Sequence, residues 1–241
     1  MKIIIVRHGD PDYTIDSLTE RGWNEAELLS ERMVGMNIKD FYVSPLGRAK
    51  DTLSCTLKKV NKEAVVCDWL QEFNYFIVRP DAGKPIWPWD WLPEHWTVDE
   101  RMYDIDKWFE VEVFKNSDVK KEYDNVAENL DRLLKKYGYE RYGRMYKVNN
   151  ANEDAIALFC HGGLECVLLS HLLNIPPMLL WHGVCASPTS VTILNSEERR
   201  EGKAYFRMSA FGDTSHLYKA GLEANPHARF CEIFNSDGRH D

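Results

Sequence analysis

Near its start the chain runs Ile3-Ile4-Ile5-Val6 and then breaks into Arg7-His8-Gly9. The short β-branched run reads as a buried strand. An open α/β sheet presents its ligands in the crevice beyond the carboxyl ends of its strands. Arg7 and His8 fall at that edge, with Gly9 letting the backbone turn away. A guanidinium forks two oxygens and a neutral imidazole attacks phosphorus, so the pair suits a phosphate.

The rest of the chain repeats the pattern. Asp40–Val43 reads as a strand ending at Ser44-Pro45, with Pro45 suited to the first turn of a helix that carries Gly47, Arg48 and Thr52. A third strand near Ala64–Leu70 ends at Gln71-Glu72. Ala155–Cys160 ends at His161-Gly162-Gly163, followed by the apolar helix Leu164–Leu173. Thr19 is placed to cap a helix over about Glu20–Met33. Val191–Leu194 and Ala204–Ala210 read as a final strand pair, with Glu197-Glu198-Arg199-Arg200-Glu201 as a solvated turn. Strands alternating with helices predict a mostly parallel sheet covered on both faces.

The region from Phe73 to Asn150 breaks this rhythm. Its first part holds Trp87, Trp89, Trp91, Trp96 and Trp108 among four prolines, and Val119–Tyr137 returns to helical periodicity. The expectation is one domain over residues 1–241 with an inserted aromatic-rich lid at about 73–118. Most of these tryptophans are expected to pack the lid down as core fillers.

Composition narrows the partners. With 44% hydrophobic residues the chain can build a core without disulfide or metal staples. A net charge of −8 argues against nucleic acid and anionic membrane, so an anionic ligand needs a local basic pocket. No apolar stretch approaches membrane-spanning length, and Met1 leads straight into a strand, so a cytoplasmic protein is expected. The six cysteines show no disulfide or metal spacing, and none has an Arg six positions on, which removes cysteine-phosphatase chemistry. They are expected to be reduced and mostly buried.

Four strand ends thus carry Arg7-His8, Arg48, Glu72 and His161. Their chemistry fits together. His8 serves as nucleophile, and Arg7 and Arg48 neutralise the phosphoryl oxygens. His161 donates a further hydrogen bond, joined by the Gly162 N–H at a helix start. Glu72 protonates the leaving oxygen and then activates water. The two arginines and the histidine supply the positive charge, so neither a metal nor another cofactor is expected.

Arg7-His8-Gly9, Leu18-Thr19 with Gly22, Ser44-Pro45 with Arg48-Ala49 and Thr52, and His161-Gly162-Gly163 resemble the histidine phosphatase superfamily, in its phosphoglycerate-mutase-like branch. The resemblance implies a three-layer α/β/α sandwich with a mostly parallel central sheet, and a phosphohistidine at the position of His8. It also implies an acid/base carboxylate matching Glu72, with Arg7, Arg48 and His161 as pocket members. Asp10 stands where this branch usually has Glu or Gln, and Thr14 where many relatives have a phosphate-binding Asn, so the Thr14 hydroxyl is a candidate donor to phosphate. The segment Phe73-Asn74-Tyr75-Phe76 lacks the Glu-Arg-His-Tyr-Gly type run of phosphoglycerate mutases. The expected activity is therefore metal-independent hydrolysis of a small phosphorylated metabolite, with a phosphoglycerate-mutase-type transferase as the alternative.

Two further readings stand beside these. Asp10-Pro11-Asp12-Tyr13-Thr14 matches the Asp-x-Asp-x-Thr pattern of magnesium-dependent aspartyl phosphatases, but Arg7-His8-Gly9 separate it from the strand end. A non-catalytic phospho-ligand sensor would keep the pocket without turnover. Asp10 and Asp12 are the reserve acids should Glu72 not serve. His216 is read as part of a structural turn rather than a site residue.

Overall fold

In the computed structural model, which describes residues 1–240, the parallel strands come first. They are β1 (Lys2–Arg7), β2 (Asp40–Val43), β3 (Ala64–Val66) and, much later in the chain, β6 (Ala155–Cys160). Between β3 and β6 lie β4 (Tyr139–Tyr142) and β5 (Met145–Val148). After β6 come β7 (Val191–Arg200) and β8 (Lys203–Asp213). These eight strands form one sheet in the order β3-β2-β6-β1-β7-β8-β5-β4. β3, β2, β6 and β1 run parallel, and from β7 to β4 each strand is antiparallel to its neighbour.

Side-chain alternation along β1 explains the layers. Ile4 and Val6 face one side with Ala157 and Phe159 of β6. There they meet Leu29 and Met33 of α1 (Glu20–Val34) and Leu53 of α2 (Gly47–Val60). Ile3 and Ile5 face the other side and join α3 (Val119–Lys136) and α4 (Gly162–Leu173). Because both faces are covered, β1 and β6 read as unbroken apolar runs rather than alternating ones. The architecture is an α/β sandwich of three layers with a parallel core and an antiparallel flank. Among the described residues no helix is long and apolar enough to cross a membrane, and all six cysteines are free thiols.

Local expectations hold with adjustments. The Thr19 hydroxyl accepts from the Gly22 N–H and caps α1. α2 begins at Gly47 with Leu46 as its cap, so Pro45 lies before the helix and not in its first turn. The third strand stops at Val66, and a 3₁₀ turn over Asp68–Leu70 carries the chain on to Glu72. The β7–β8 ribbon runs through the charged stretch and turns only at Glu201-Gly202, where Gly202 has φ +77°. Charged side chains suit this extension because it stands exposed to water.

The tryptophan-rich segment divides into two kinds of residue. Trp108 is 1% exposed and meets Phe114, Tyr123 and Trp181 edge-on, and Trp91 is buried as well. Trp87 is 39% exposed and holds its indole by an N–H bond of 2.7 Å to Asn74 Oδ1. Trp108→Ala should therefore destabilise the fold by about 3–5 kcal/mol. Trp87→Ala should stay within about 0.5 kcal/mol of wild type. Urea unfolding midpoints of the two variants, read with their slopes, check this contrast.

Candidate active site

The carboxyl ends of the parallel strands converge on one cavity of about 920 Å³. Its walls include Arg7, His8, Arg48, Glu72 and Gly162. β1 delivers Arg7 and His8, the first turn of α2 delivers Arg48, and the turn after β3 delivers Glu72.

His8 Nδ1 lies 2.7 Å from the Gly9 carbonyl. A carbonyl only accepts, so in the neutral ring the proton sits on Nδ1 and the lone pair sits on Nε2. His161 lies beside it, fully buried, with ring centroids 5.1 Å apart. Ser44 Oγ accepts from the Leu46 N–H and lies 2.7 Å from His161 Nε2, so its own hydrogen is available to that nitrogen. That arrangement puts the His161 proton on Nδ1, which has no protein partner among the described residues. Burial, the neighbouring His161 and the two arginines hold His8 well below the ordinary imidazole range. Burial and the same arginines depress His161.

Each arginine is aimed by a single anchor. Arg7 Nη1 donates to the Ala186 carbonyl at 2.5 Å, and its Nε has no partner among the described residues. Arg48 Nη1 donates to Asp16 Oδ1 at 2.6 Å, and its Nε is likewise unpartnered among the described residues. Asp16 Oδ2 accepts the Gly47 N–H at 2.6 Å. Burial opposes its ionisation, but Gly47 and Arg48 together hold the carboxyl below its usual range. A Cβ on Gly47 would fall 2.0 Å from the Asp16 carbonyl oxygen, so only glycine lets this loop close on α2. The Tyr13 ring packs against the Arg48 guanidinium at 5.4 Å.

Glu72 sits at the amino end of α4. Its Oε1 accepts from Phe73 N–H at 2.8 Å and Leu164 N–H at 3.0 Å, and Oε2 receives only a long contact of 3.5 Å from Gly163. A Cβ on Gly163 would meet Trp89 at 2.7 Å and Glu72 Oε1 at 2.8 Å, so glycine is needed here for the carboxyl and the indole to approach the helix.

The structure departs from the sequence reading in several places. Thr14 is exposed and its hydroxyl donates to Asp12 Oδ1 at 2.5 Å, so it lies off the cavity wall and is not placed to bind phosphate. The same loop puts Tyr13 there instead. Asp10 is occupied in tying the loop, accepting from Thr19 Oγ1 and Asn225 Nδ2, both at 2.6 Å. His216, by contrast, keeps the structural role expected of it: it is buried with Nε2 3.2 Å from Thr189 Oγ1 and does not line the cavity.

Sequence reasoning missed two contributors. Glu165, one turn into α4, is 1% exposed, lines the cavity, and makes no hydrogen bond through either oxygen among the described residues. Burial raises its carboxyl to about 7, against the opposing pull of the nearby Thr192 hydroxyl and the Arg7 charge. A lone acidic residue in the uniformly apolar stretch after Gly163 was the available signal. The tail beyond Asn225 closes one side of the cavity with Ala228, Phe230, Asp237 and Arg239. Tail contacts at Asp10, at Tyr13 and at Asp90 hold it there. Nothing in its composition announced that role.

The chain matches the family model described as histidine phosphatase superfamily (branch 1) over residues 3–84 and 90–207. A 2,3-bisphosphoglycerate-dependent phosphoglycerate mutase from Thermoplasma acidophilum is 41% identical over 85 residues, spanning 31% of this chain and 42% of that protein. A probable phosphatase from Schizosaccharomyces pombe is 24% identical over 234 residues, spanning 90% of this chain and 95% of that one. Among solved structures, a phosphoserine phosphatase mutant from Entamoeba histolytica, in complex with phosphoserine, superposes with a TM-score of 0.56 at 18% identity. That likeness covers 90% of this chain and 98% of the other and concerns the fold. With most of its length matched by one family model, the chain belongs to branch 1 of the histidine phosphatase superfamily.

Proposed function

We propose that the protein hydrolyses phosphomonoesters through a phosphohistidine on His8. The observation that carries this reading is the His8 ring fixed by its 2.7 Å contact to the Gly9 carbonyl, which leaves Nε2 as the lone-pair nitrogen. In the first step Nε2 bonds to phosphorus as the ester oxygen–phosphorus bond breaks. Glu72, protonated on Oε2, gives its proton to the departing oxygen. In the second step water attacks phosphorus, Glu72 takes the water proton, and the nitrogen–phosphorus bond breaks to return the lone pair to His8. Arg7 Nε, Arg48 Nε and the His161 Nδ1–H are the buried donors that meet the phosphoryl oxygens.

One feature favours hydrolysis over phosphate shuttling between carbon positions of one substrate. Phe73 is buried in the core, Tyr75 packs edge-on against it, and Asn74 binds Trp87, so the residues after Glu72 offer no cationic group. The related names, one a mutase and one a probable phosphatase, fit a small phosphorylated metabolite as substrate.

Glu165 bears on the same site. While it keeps its proton, the Arg7 charge is available to the phosphoryl group. Once ionised, it competes for that charge.

His8→Ala should abolish release of phosphate from p-nitrophenyl phosphate. Wild type quenched during turnover should carry acid-labile phosphorus on His8 by mass spectrometry, and phosphorus on a carboxylate would refute the scheme. Glu72→Gln should slow hydrolysis of an ester with a poor leaving group by roughly 10²–10⁴-fold. Product analysis with 3-phosphoglycerate and catalytic bisphosphoglycerate should show phosphate release and no isomerised ester.

A pH prediction follows from Glu165. Its folded carboxyl holds a proton up to about pH 7, whereas the unfolded one, with an ordinary value of 4.5, has lost it. The native state therefore binds the extra proton between these values, and stability falls as pH rises through that window. Glu165→Gln removes this loss and should gain on wild type by roughly 2–3 kcal/mol between pH 5 and pH 8. Urea titrations of both proteins at the two pH values measure it.

A further inference from the structure

Beyond the phosphoryl end, the cavity wall turns aromatic. Trp89 lies against Gly163 and beside the Glu72 carboxyl, whose Oε2 carries the proton that the leaving oxygen must collect. The Trp87 ring is nearly parallel to it, at 12° with centroids 6.2 Å apart. Trp181 flanks Trp89 at 6.2 Å, and Phe76 flanks Trp87 at 5.8 Å. Trp87 and Trp89 both line the cavity and are held by these neighbours.

The charges at this end are already matched. Arg79 donates to Asp81 at 2.9 and 2.5 Å and to the carbonyls of Trp89 and Asp90. Arg239 Nη1 lies 3.2 Å from Asp90 Oδ2, and Asp237 adds a carboxylate to the wall. A carboxylate on the leaving group would meet compensated arginines and an acidic rim. Desolvating it there costs free energy with no new ion pair in return. An uncharged ring loses little on desolvation and gains by stacking.

We infer that the leaving group is a flat, uncharged ring system that stacks on Trp87 and Trp89 as it departs past Glu72. This rests on the reading of His8 and Glu72 given above, and it extends that reading to substrate class. Carboxylate-bearing small esters fit this wall poorly.

The experiment is calorimetric titration of His8→Ala, which reads binding without turnover, using 2-naphthyl phosphate, phenyl phosphate and 3-phosphoglycerate. We expect naphthyl phosphate to bind about tenfold or more tightly than phenyl phosphate, and 3-phosphoglycerate to bind more weakly than either. Adding Trp87→Ala should cut the naphthyl advantage to about threefold or less, while Trp87→Phe keeps most of it. Equal affinity for the two aryl esters overturns the inference, as does an advantage that survives Trp87→Ala, or a preference for 3-phosphoglycerate. Wild-type kcat/KM for the same esters separates this from the hydrolase reading. The binding order without turnover of any ester would refute hydrolysis and leave ring recognition standing. Hydrolysis without the binding order would do the reverse.

Discussion

The site depends on one piece of backbone pairing. β1 and β6 are adjacent and parallel, and their register sets Arg7 opposite Cys160. The next residue of each strand is a histidine, and the His8 N–H donates to the Cys160 carbonyl at 3.0 Å as the strands end. His8 and His161 must therefore leave the sheet together. A one-residue slip would move every side chain of β1 to the opposite face. Ile4 and Val6 would then face α3 and α4, and Ile3 and Ile5 would face α1 and α2. The hydrophobic layers that stabilise the fold thus also fix the distance between the two imidazoles.

The electrostatics follow from that placement. The chain is net negative, yet its buried end is cationic, with two guanidinium groups beside two imidazoles. Among the described residues neither guanidinium is hydrogen-bonded to a buried carboxylate: Arg7 leans on a carbonyl, and Arg48 leans on a half-exposed Asp16. Protonating either histidine in this field is unfavourable, so both stay neutral and His8 keeps the lone pair that the proposed nucleophile requires. The overall charge has no part in this, because a low-dielectric pocket responds to its nearest groups.

Much of this was legible in the sequence, and the failures have physical causes. β2 and β6 end where their apolar runs end, because parallel strands covered on both faces show uniform hydrophobicity. Thr19 was readable as a cap because its hydroxyl serves the local backbone. The β4–β5 hairpin was hidden because its strands are four residues long with charged side chains among the aromatics. Thr14 was misplaced because motif position fixes backbone and not rotamer, and Asp12 two residues away captures its hydroxyl. The tail's part in the cavity rests on contacts spanning most of the chain length, such as Asn225 to Asp10. No local pattern encodes such a contact. The tryptophans divided by neighbours rather than by type, with Trp108 in the core and Trp87 on the cavity wall.

The distribution of unpartnered polar atoms carries the argument one step further. Buried polar groups in native proteins are almost always hydrogen-bonded, and an orphan costs about 1–3 kcal/mol. Among the described residues ten buried side-chain polar atoms lack a hydrogen-bond partner, and five of them, Arg7 Nε, Arg48 Nε, His161 Nδ1 and both oxygens of Glu165, sit at this site. Three are donors gathered around His8, and the acceptors belong to a carboxyl held partly protonated near neutrality. A fold that maximised stability would have satisfied or removed them. Their concentration at one sheet edge is what preorganised donors for an anion require, since donors already bonded to protein would have to break those bonds before meeting a phosphoryl oxygen. The layers on either side of the sheet offset this cost, and the strand register confines it to the site of the proposed phosphoryl transfer.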